Sequence, residues 1–284
     1  MGKNLLILGA FVSALMLASC VGSKKETVTY TPEEIADAGQ VMKYYDASLA
    51  LLKNMVKERD VNAVLGYMEQ KTEVPMFSYI MSPVISKKDS AEVMLPGECF
   101  GADVRQNLIQ NYAELFQSRN QFYANFNKYL SLLKEKKTEG MADLLNDNYE
   151  LSVVMSECKQ NIFDILSPIA SNAQRVLLAE NPVKEQIIAM KSMSTTMQSI
   201  INLYARKHDE DKCRLDLKIM ELRLQLDAAE KLPVVKGHEE ESEKFKDFLS
   251  KTEGFLKIVQ DARQKNSYAD EDFEEISSYG LGII

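Results

Sequence analysis

The chain contains no tryptophan and only two histidines among its 284 residues. Histidine is the most frequent general base and a common metal ligand, and tryptophan commonly stacks on sugars. The chain therefore has few of the side chains that usually serve catalysis or sugar binding. No P-loop, dinucleotide-binding glycine pattern or nucleophile elbow occurs in the sequence. The sequence therefore predicts no catalytic residue and no cofactor-binding residue, and it favours a protein that is not an enzyme.

Cysteine is also scarce, with four residues and neither a Cys-x-x-Cys pair nor a zinc-ligand spacing. Cys20 lies near the amino terminus, and Cys99, Cys158 and Cys213 are spread along the rest of the chain. In an oxidising compartment, two of these three could form one disulfide. The alternative is that all three are small buried hydrophobic residues. The sequence leaves both interpretations open.

Basic residues are outnumbered, with 34 lysines and arginines against 42 aspartates and glutamates and a net charge of −8. The first 19 residues contain one lysine and no acid, so the remainder carries a net charge of −9. Affinity for nucleic acid comes from neutralising phosphates, and anionic lipid attracts basic segments. We therefore expect no nucleic-acid partner and no direct docking of the folded body on anionic lipid.

One long apolar run stands at the amino terminus, from Leu5 to Leu17 behind the positive Lys3. It is too short to span a membrane, which needs about 20 apolar residues, and its length suits a secretory signal. The run ends in Leu17–Cys20, with the sequence Leu-Ala-Ser-Cys. This segment resembles the lipobox of bacterial lipoproteins. The resemblance implies that residues 1–19 are a signal peptide, that cleavage precedes Cys20, and that this cysteine is lipidated.

The polar residues after Cys20 are predicted to form a flexible tether over residues 20–31. Ten such residues span roughly 17 Å by the square-root rule for flexible chains. No acidic run follows Cys20, and such runs resemble surface-export signals. We therefore expect a lipid-anchored protein of the cell envelope, held in the outer membrane and facing the periplasm, with its lipid as the membrane contact and a second envelope protein as its partner.

Apolar residues recur in steps of three and four through most of residues 32–277, and alternation is almost absent. This pattern predicts an all-α fold, an elongated bundle of long antiparallel helices with coiled-coil-like stripes. The expected helices run from the Thr31 cap to about residue 59, from about 102 until Gly140 breaks the pattern, and over 144–176 with a kink at Pro168. After Asn181-Pro182 there is either one helix of nearly fifty residues or two that break at 208–212, followed by a last helix around 245–262 and a tail at 278–284.

Residues 71–97 interrupt the helical pattern with Pro75, Pro83 and Pro96 among many apolar residues. A loop this long and this apolar is unusual. One interpretation is a cover packed over the bundle. The other is a surface for a ligand or a partner.

The lipobox with its short tether, the pair Tyr44-Tyr45 in the first helix and the paired long helices of residues 102–178 together resemble the YiiG-like bacterial lipoproteins. That resemblance covers most of the chain after the signal. It implies a helical domain without an assigned activity, and it brings no catalytic residue with it.

Three clusters have residue types that can bind metals. Met190, Met193 and Met197 share a helical face and could hold Cu(I), although the same stripe continues as bundle core. His208, Asp209, Asp211 and Cys213 do not converge in number or direction as zinc requires. The acidic runs 270–275 and 239–243 lack the calcium-loop spacing and suit the start of a helix. We therefore assign no metal ligand.

The sequence favours a non-enzymatic structural or protein-interaction domain anchored in the envelope. The alternative is a lipoprotein that holds an apolar small molecule in a bundle cavity or under the 71–97 loop. A third hypothesis, a hydrolase of envelope polymers, needs a cleft with two facing carboxylates or a carboxylate and a histidine.

Overall fold

The structure is a computed structural model, which describes residues 29–69, 87–206 and 212–265 together with 275, 276 and 278. Within these residues there are eight helices and no strand, so the predicted all-α fold is confirmed. The predicted signal peptide, Cys20 and most of the predicted tether and tail lie outside the described residues. The helices are α1 (Pro32–Met55), α2 (Glu58–Met68), α3 (Lys87–Val93), α4 (Ala102–Lys134), α5 (Met141–Leu177), α6 (Lys184–Arg206), α7 (Lys212–Ala229) and α8 (Glu239–Gln264).

The bundle is elongated because α4 and α5 have 33 and 37 residues, which corresponds to about 50 and 55 Å. Two separate apolar cores hold it together. The first core is formed by α1, α2, α4 and α5, with the fully buried Leu108, Phe122 and Ile162. The second core is formed by α6, α7 and α8, with the fully buried Leu222 and Phe255. The single helical body expected for residues 32–277 is thus built around two cores that meet where α5 gives way to α6.

The first helix begins as predicted and ends early. Thr31 and Glu34 form a reciprocal capping box, with Pro32 at the first helical position. The helix was expected to continue to about residue 59, but α1 ends at Met55 and α2 begins at Glu58. Two buried cations from other helices account for the break. Arg119 Nε donates to the Met55 carbonyl at 3.1 Å and Lys159 Nζ donates to the Val56 carbonyl at 3.2 Å, where a helix carries its partial negative charge.

The end of α4 also differs from the expectation. Gly140 was expected to break the helix, but α4 ends at Lys134 and the chain turns through Lys136, whose φ is 56°. The Lys137 N–H donates to the Leu132 carbonyl at 2.9 Å, which closes a Schellman-type end. Gly140, with a φ of 78°, instead forms the left-handed residue that leads into α5.

Helices α6 and α7 are separate, as in the second of the two predicted alternatives. Residues 207–211, around the predicted break, lie outside the described part. Gln225 Nε2 donates to Ser192 Oγ at 3.1 Å. These residues lie similarly far from the connection, so the two helices form an antiparallel hairpin.

The predicted 71–97 loop is partly helical. Residues 70–86 lie outside the described part, and α3 occupies Lys87–Val93. Val93 is fully buried, and its carbonyl accepts a hydrogen bond from the Tyr44 hydroxyl at 2.6 Å. The carboxyl end of this segment therefore packs against the first core.

Candidate functional site

A cleft of about 760 Å³ opens between the two cores. Four helices line it, α1 and α5 from the first core and α6 and α7 from the second. Small-molecule sites commonly have volumes of about 300–1,000 Å³ and prefer the boundaries between domains. The cleft is therefore the candidate functional site.

Helix α6 supplies a dense row of hydroxyl groups to the cleft, from Ser192, Ser194, Thr195, Thr196 and Ser199. Serine and threonine are poor helix formers because they compete for backbone hydrogen bonds. Here the Ser194, Thr195 and Thr196 hydroxyls donate to the carbonyls four residues earlier, at 2.8, 3.0 and 3.2 Å. Each donates its one proton to the backbone, which leaves the oxygen lone pairs of these hydroxyls available as acceptors.

Tyr45 crosses the cleft from α1. Its hydroxyl lies 3.4 Å from Thr195 Oγ1 on α6, and it also interacts with Ser167 on α5. Burial raises the pKa of Tyr45, and the hydrogen bonds to the two hydroxyls partly oppose that rise. Tyr45 therefore remains a neutral phenol that joins three lining helices.

Pro168 lies within α5 on the cleft side. A proline has no N–H and its ring crowds the carbonyl four residues earlier, which belongs to Asp164. The neighbouring Ser167 hydroxyl donates to the Phe163 carbonyl at 2.7 Å. The wall of the cleft therefore presents a backbone carbonyl group that an ordinary helix would have paired internally.

Ion pairs border the cleft. Arg214 on α7 donates to Asp164 at 3.3 Å and to Glu157 at 3.5 Å, and so links the second core to α5. On the next turns of α7, Lys218 donates to Glu221 at 2.9 Å. Both Asp164 and Glu221 line the cleft.

Gln225 completes the polar part of the lining. Its Nε2 donates to Ser192 and to Glu221, whereas its Oε1 is buried and accepts no hydrogen bond within the described part of the chain. A buried acceptor left without a donor costs about 1–3 kcal/mol.

The lining also contains apolar side chains, Met42 and Leu49 from α1 and Ile187 and Ile188 from the beginning of α6. The charged lining residues are Asp46, Asp164, Glu221, Lys191 and Lys218, so the charges of the lining nearly cancel. An arrangement with apolar side chains, many hydroxyls and little net charge can hold an amphipathic molecule. The cavity expected for an apolar ligand is thus more polar than predicted.

The methionine cluster lies in the second core. Met193 and Met197 are fully buried, and Met190 packs against the same core and also lines the cleft. The Thr252 hydroxyl lies 3.9 Å from Met197 Sδ. Within the described ranges no group of three or more histidine, cysteine, aspartate or glutamate side chains is placed to hold a metal ion.

The remaining predicted candidates are dispersed or lie outside the described residues. His208, Asp209, Asp211 and the run 270–274 are outside them. Glu239, Glu240 and Glu241 lie in the first turn of α8, where the helix dipole favours acids. Glu239 accepts a hydrogen bond from the Gly237 N–H at 2.9 Å, which lowers the pKa of Glu239.

Cys99, Cys158 and Cys213 are free thiols. Burial raises the pKa of Cys158 to about 12, which makes this thiol unreactive. Cys213 is exposed at the start of α7. None of the helices in the described ranges has a stretch long and apolar enough to cross a membrane.

Two family models together match nearly all of the chain after residue 31. A domain of unknown function, DUF6845, matches residues 32–180, and the DUF3829-like C-terminal domain matches residues 182–284. The chain therefore belongs to the DUF6845 and DUF3829-like families. The boundary between the two matches falls between α5 and α6, where the two cores meet, so the cleft lies between the two family domains.

Two crystal structures of relatives share this fold. An alpha helical protein, BF3319, from Bacteroides fragilis NCTC 9343 is 53% identical, with a TM-score of 0.82, and the match covers 89% of this chain and 98% of that one. An uncharacterized DUF3829-like protein from Bacteroides thetaiotaomicron VPI-5482 is 48% identical, with a TM-score of 0.77, over 89% of this chain and all of that one. A comparison with curated proteins finds no match.

Sequence reasoning missed the cleft because its wall residues keep the helical period. Tyr45 and Leu49 continue the apolar stripe of α1, but both are half-buried and line the cleft. The useful signal was in α6, where Ser192–Ser199 places five hydroxyl residues among eight positions of a helix. A local preference that opposes the helix, at a site without a capping role, is typical of a functional surface.

Proposed function

We propose that this protein is a lipid-anchored protein of the cell envelope that binds a neutral amphipathic small molecule in the cleft between its two cores. The observation that carries this proposal is the cleft of about 760 Å³, lined by both hydroxyl-bearing and aliphatic side chains. Its volume and its position between two family domains fit a small-molecule site.

The lining selects the chemistry of the ligand. Asp164 and Glu221 are already paired with Arg214 and Lys218, and the other two charged lining residues, Asp46 and Lys191, have opposite signs, so the lining has no strong excess of either charge. An uncharged head group with hydroxyl or amide groups would donate to the hydroxyl oxygens of α6. An apolar body would lie against the aliphatic side chains of the cleft.

Nile red, a neutral dye that fluoresces in apolar surroundings, tests the site. We expect saturable binding to the protein and weaker binding in Ser194→Phe, because a phenyl group at this lining position occupies part of the cleft. Ser131→Phe is the matched control, since the Ser131 hydroxyl makes the same hydrogen bond four residues back at an exposed position of α4. Equal dye binding by both variants would place the dye elsewhere and contradict the proposal.

The membrane anchor rests on Leu17–Cys20 and is tested separately. Two or more acyl chains make a stable anchor, because each buried methylene contributes about 0.8 kcal/mol. We expect the protein to partition into detergent and to incorporate a labelled palmitate analogue. Cys20→Ser should remove both properties and leave the helical spectrum intact. A Cys20→Ser variant that still partitions into detergent would contradict the anchor.

A module that acts through protein contacts is the second candidate. The exposed apolar face of α7 favours it, with Leu217, Met220 and Leu224 each more than half exposed. The two functions are compatible, because this face and the cleft use different sides of the helix.

A further inference from the structure

Helix α7 has two apolar faces. The first face packs into the second core through Leu215, Ile219, Leu222 and Leu226. The second face points to solvent, where Leu217, Met220 and Leu224 are 55%, 56% and 57% exposed. Cys213, one turn earlier, is also exposed. Large apolar side chains that share an exposed face mark an interaction surface.

We call the residues Cys213, Leu217, Met220 and Leu224 the α7 seam. Their steps of four, three and four are the spacing of the a and d positions in a coiled coil. A helix that buries one face in its own core needs no such second pattern to fold. The spacing indicates that the partner is another helix.

The charged residues on either side of the α7 seam indicate which helix the partner is. One flank carries Arg214 and Glu221, and the other flank carries Asp216 and Arg223. In an antiparallel pair of coiled-coil helices, each flank meets the same flank of its partner, so each pairing brings a cation against an acid. A parallel pair would place Asp216 opposite Glu221 and oppose like charges.

We propose that the α7 seam pairs with the α7 seam of a second copy of this chain, antiparallel and about a two-fold axis. Leu217 of one copy packs against Met220 of the other, and Cys213 packs against Leu224. Arg214 faces Glu221 of the second copy, and Asp216 faces Arg223. This surface is complementary to itself, as a two-fold interface requires.

Contacts within the chain hold these charged side chains at the two edges of the α7 seam. Asp216 accepts from Arg263 at 2.9 Å, and Arg223 lies 3.5 Å from Gln260, both on α8. On the other flank, Arg214 is held by Asp164 and Glu157 of α5, while Glu221 is held by Lys218. The flanking charges are therefore positioned before a second copy arrives, and less side-chain freedom is lost on association.

The length of the seam sets the strength of the pair. The twelve residues from Cys213 to Leu224 span eleven helical steps, which correspond to about 17 Å of helix. Such a contact lies below the roughly 1,200 Å² of total buried surface at which stable complexes begin. We therefore expect a reversible dimer with a dissociation constant in the micromolar range.

Sedimentation velocity across a concentration series tests the pairing, with the chain from residue 21 onward. That chain contains every described residue, and the crystallised relatives also match only 89% of this chain. We expect a monomer–dimer equilibrium. Arg223→Glu places two acids opposite each other across the axis, and Asp216→Lys places two cations opposite each other. Each variant alone should therefore dimerise at least about tenfold more weakly.

An equimolar mixture of the two variants should recover the dimer, because Asp216 of one variant then meets Arg223 of the other and the two new charges also pair. Arg223→Glu should unfold at close to the temperature of the native protein, whereas Asp216→Lys also loses its ion pair with Arg263 and should unfold at a somewhat lower temperature while remaining folded. A native chain that is monomeric at several hundred micromolar overturns the proposal. So does a mixture that associates no better than either variant alone.

A cysteine pair tests the direction of the helices. With Leu224→Cys, mild oxidation should link that position to Cys213 of the second copy and yield a covalent dimer on a non-reducing gel. Adding Cys213→Ser should abolish it, because antiparallel packing separates the two copies of position 224. A covalent dimer that persists without Cys213 would show a parallel pair and overturn the proposal.

Discussion

Replacing Pro168 by alanine should make the protein more stable and change its cleft. Proline in a helix interior costs about 3 kcal/mol relative to alanine, through a lost hydrogen bond and a clash with the carbonyl four residues earlier. Pro168 is exposed to the cleft, so its loss removes little packing. We therefore expect a gain of about 1–3 kcal/mol.

Thermal unfolding measured by far-ultraviolet circular dichroism gives the stability. A gain of this size should raise the melting temperature by about 2–6 °C in a chain of this length. Asn161→Ala is the matched control, an exposed α5 position where only helix propensity changes, by at most about 0.7 kcal/mol. The same Pro168→Ala variant should bind Nile red more weakly, because a continuous hydrogen-bond ladder straightens the wall. A lower melting temperature for Pro168→Ala would refute this reasoning.

Three further outcomes are expected. Tyr44→Phe should cost about 1–3 kcal/mol in urea unfolding because it strands the buried Val93 carbonyl. Tyr112→Phe should cost less, because the Tyr112 hydroxyl interacts with the Ser48 hydroxyl and its loss strands no backbone carbonyl among the described residues. Equal losses would contradict this. Burial raises the pKa of both tyrosines, so their contribution is complete below about pH 10 and should fall above it, by up to about 1.4 kcal/mol per pH unit for each. Unfolding at pH 8 and pH 11 measures this loss, which the two phenylalanine variants should reduce. An aromatic disulfide reagent should react rapidly with the exposed Cys213 and not with the buried Cys158 in the folded protein; rapid reaction of both would contradict their assigned environments.

The architecture was predictable because it depends on a pattern that many residues repeat. Apolar side chains with helical spacing run through α4, α5 and α8, so a single exception does not change the period. The start of α1 was equally predictable, because Thr31, Pro32 and Glu34 form a capping box that depends only on neighbours in the sequence.

Helix ends that depend on distant residues could not be predicted. The break after Met55 is set by Arg119 and Lys159, which lie more than sixty and more than a hundred residues away in the chain. The end of α4 uses Lys136 in a left-handed conformation that a lysine rarely adopts. Local sequence carries no sign of either arrangement.

The cleft escaped prediction for a related reason. It exists because two cores meet without filling the space between them, and a periodic stripe does not distinguish a wall residue such as Tyr45 from a core residue. For the α7 seam, the sequence contained the pattern but did not show where the residues lie. Its spacing was present in the sequence, but only the structure shows that Ile219 and Leu222 already fill the core and that Leu217 and Met220 remain outside it.

Mass spectrometry of the organic extract from protein purified out of its native cells tests the central claim most directly. The account predicts a neutral amphipathic compound that co-purifies in near-stoichiometric amount with the native chain and with Ser131→Phe, and in a smaller amount with Ser194→Phe. Ser194→Phe must first be shown to be folded by its circular dichroism spectrum. Extracts with no such compound, or with the same amount of it from folded Ser194→Phe, would contradict binding in the cleft between the two cores.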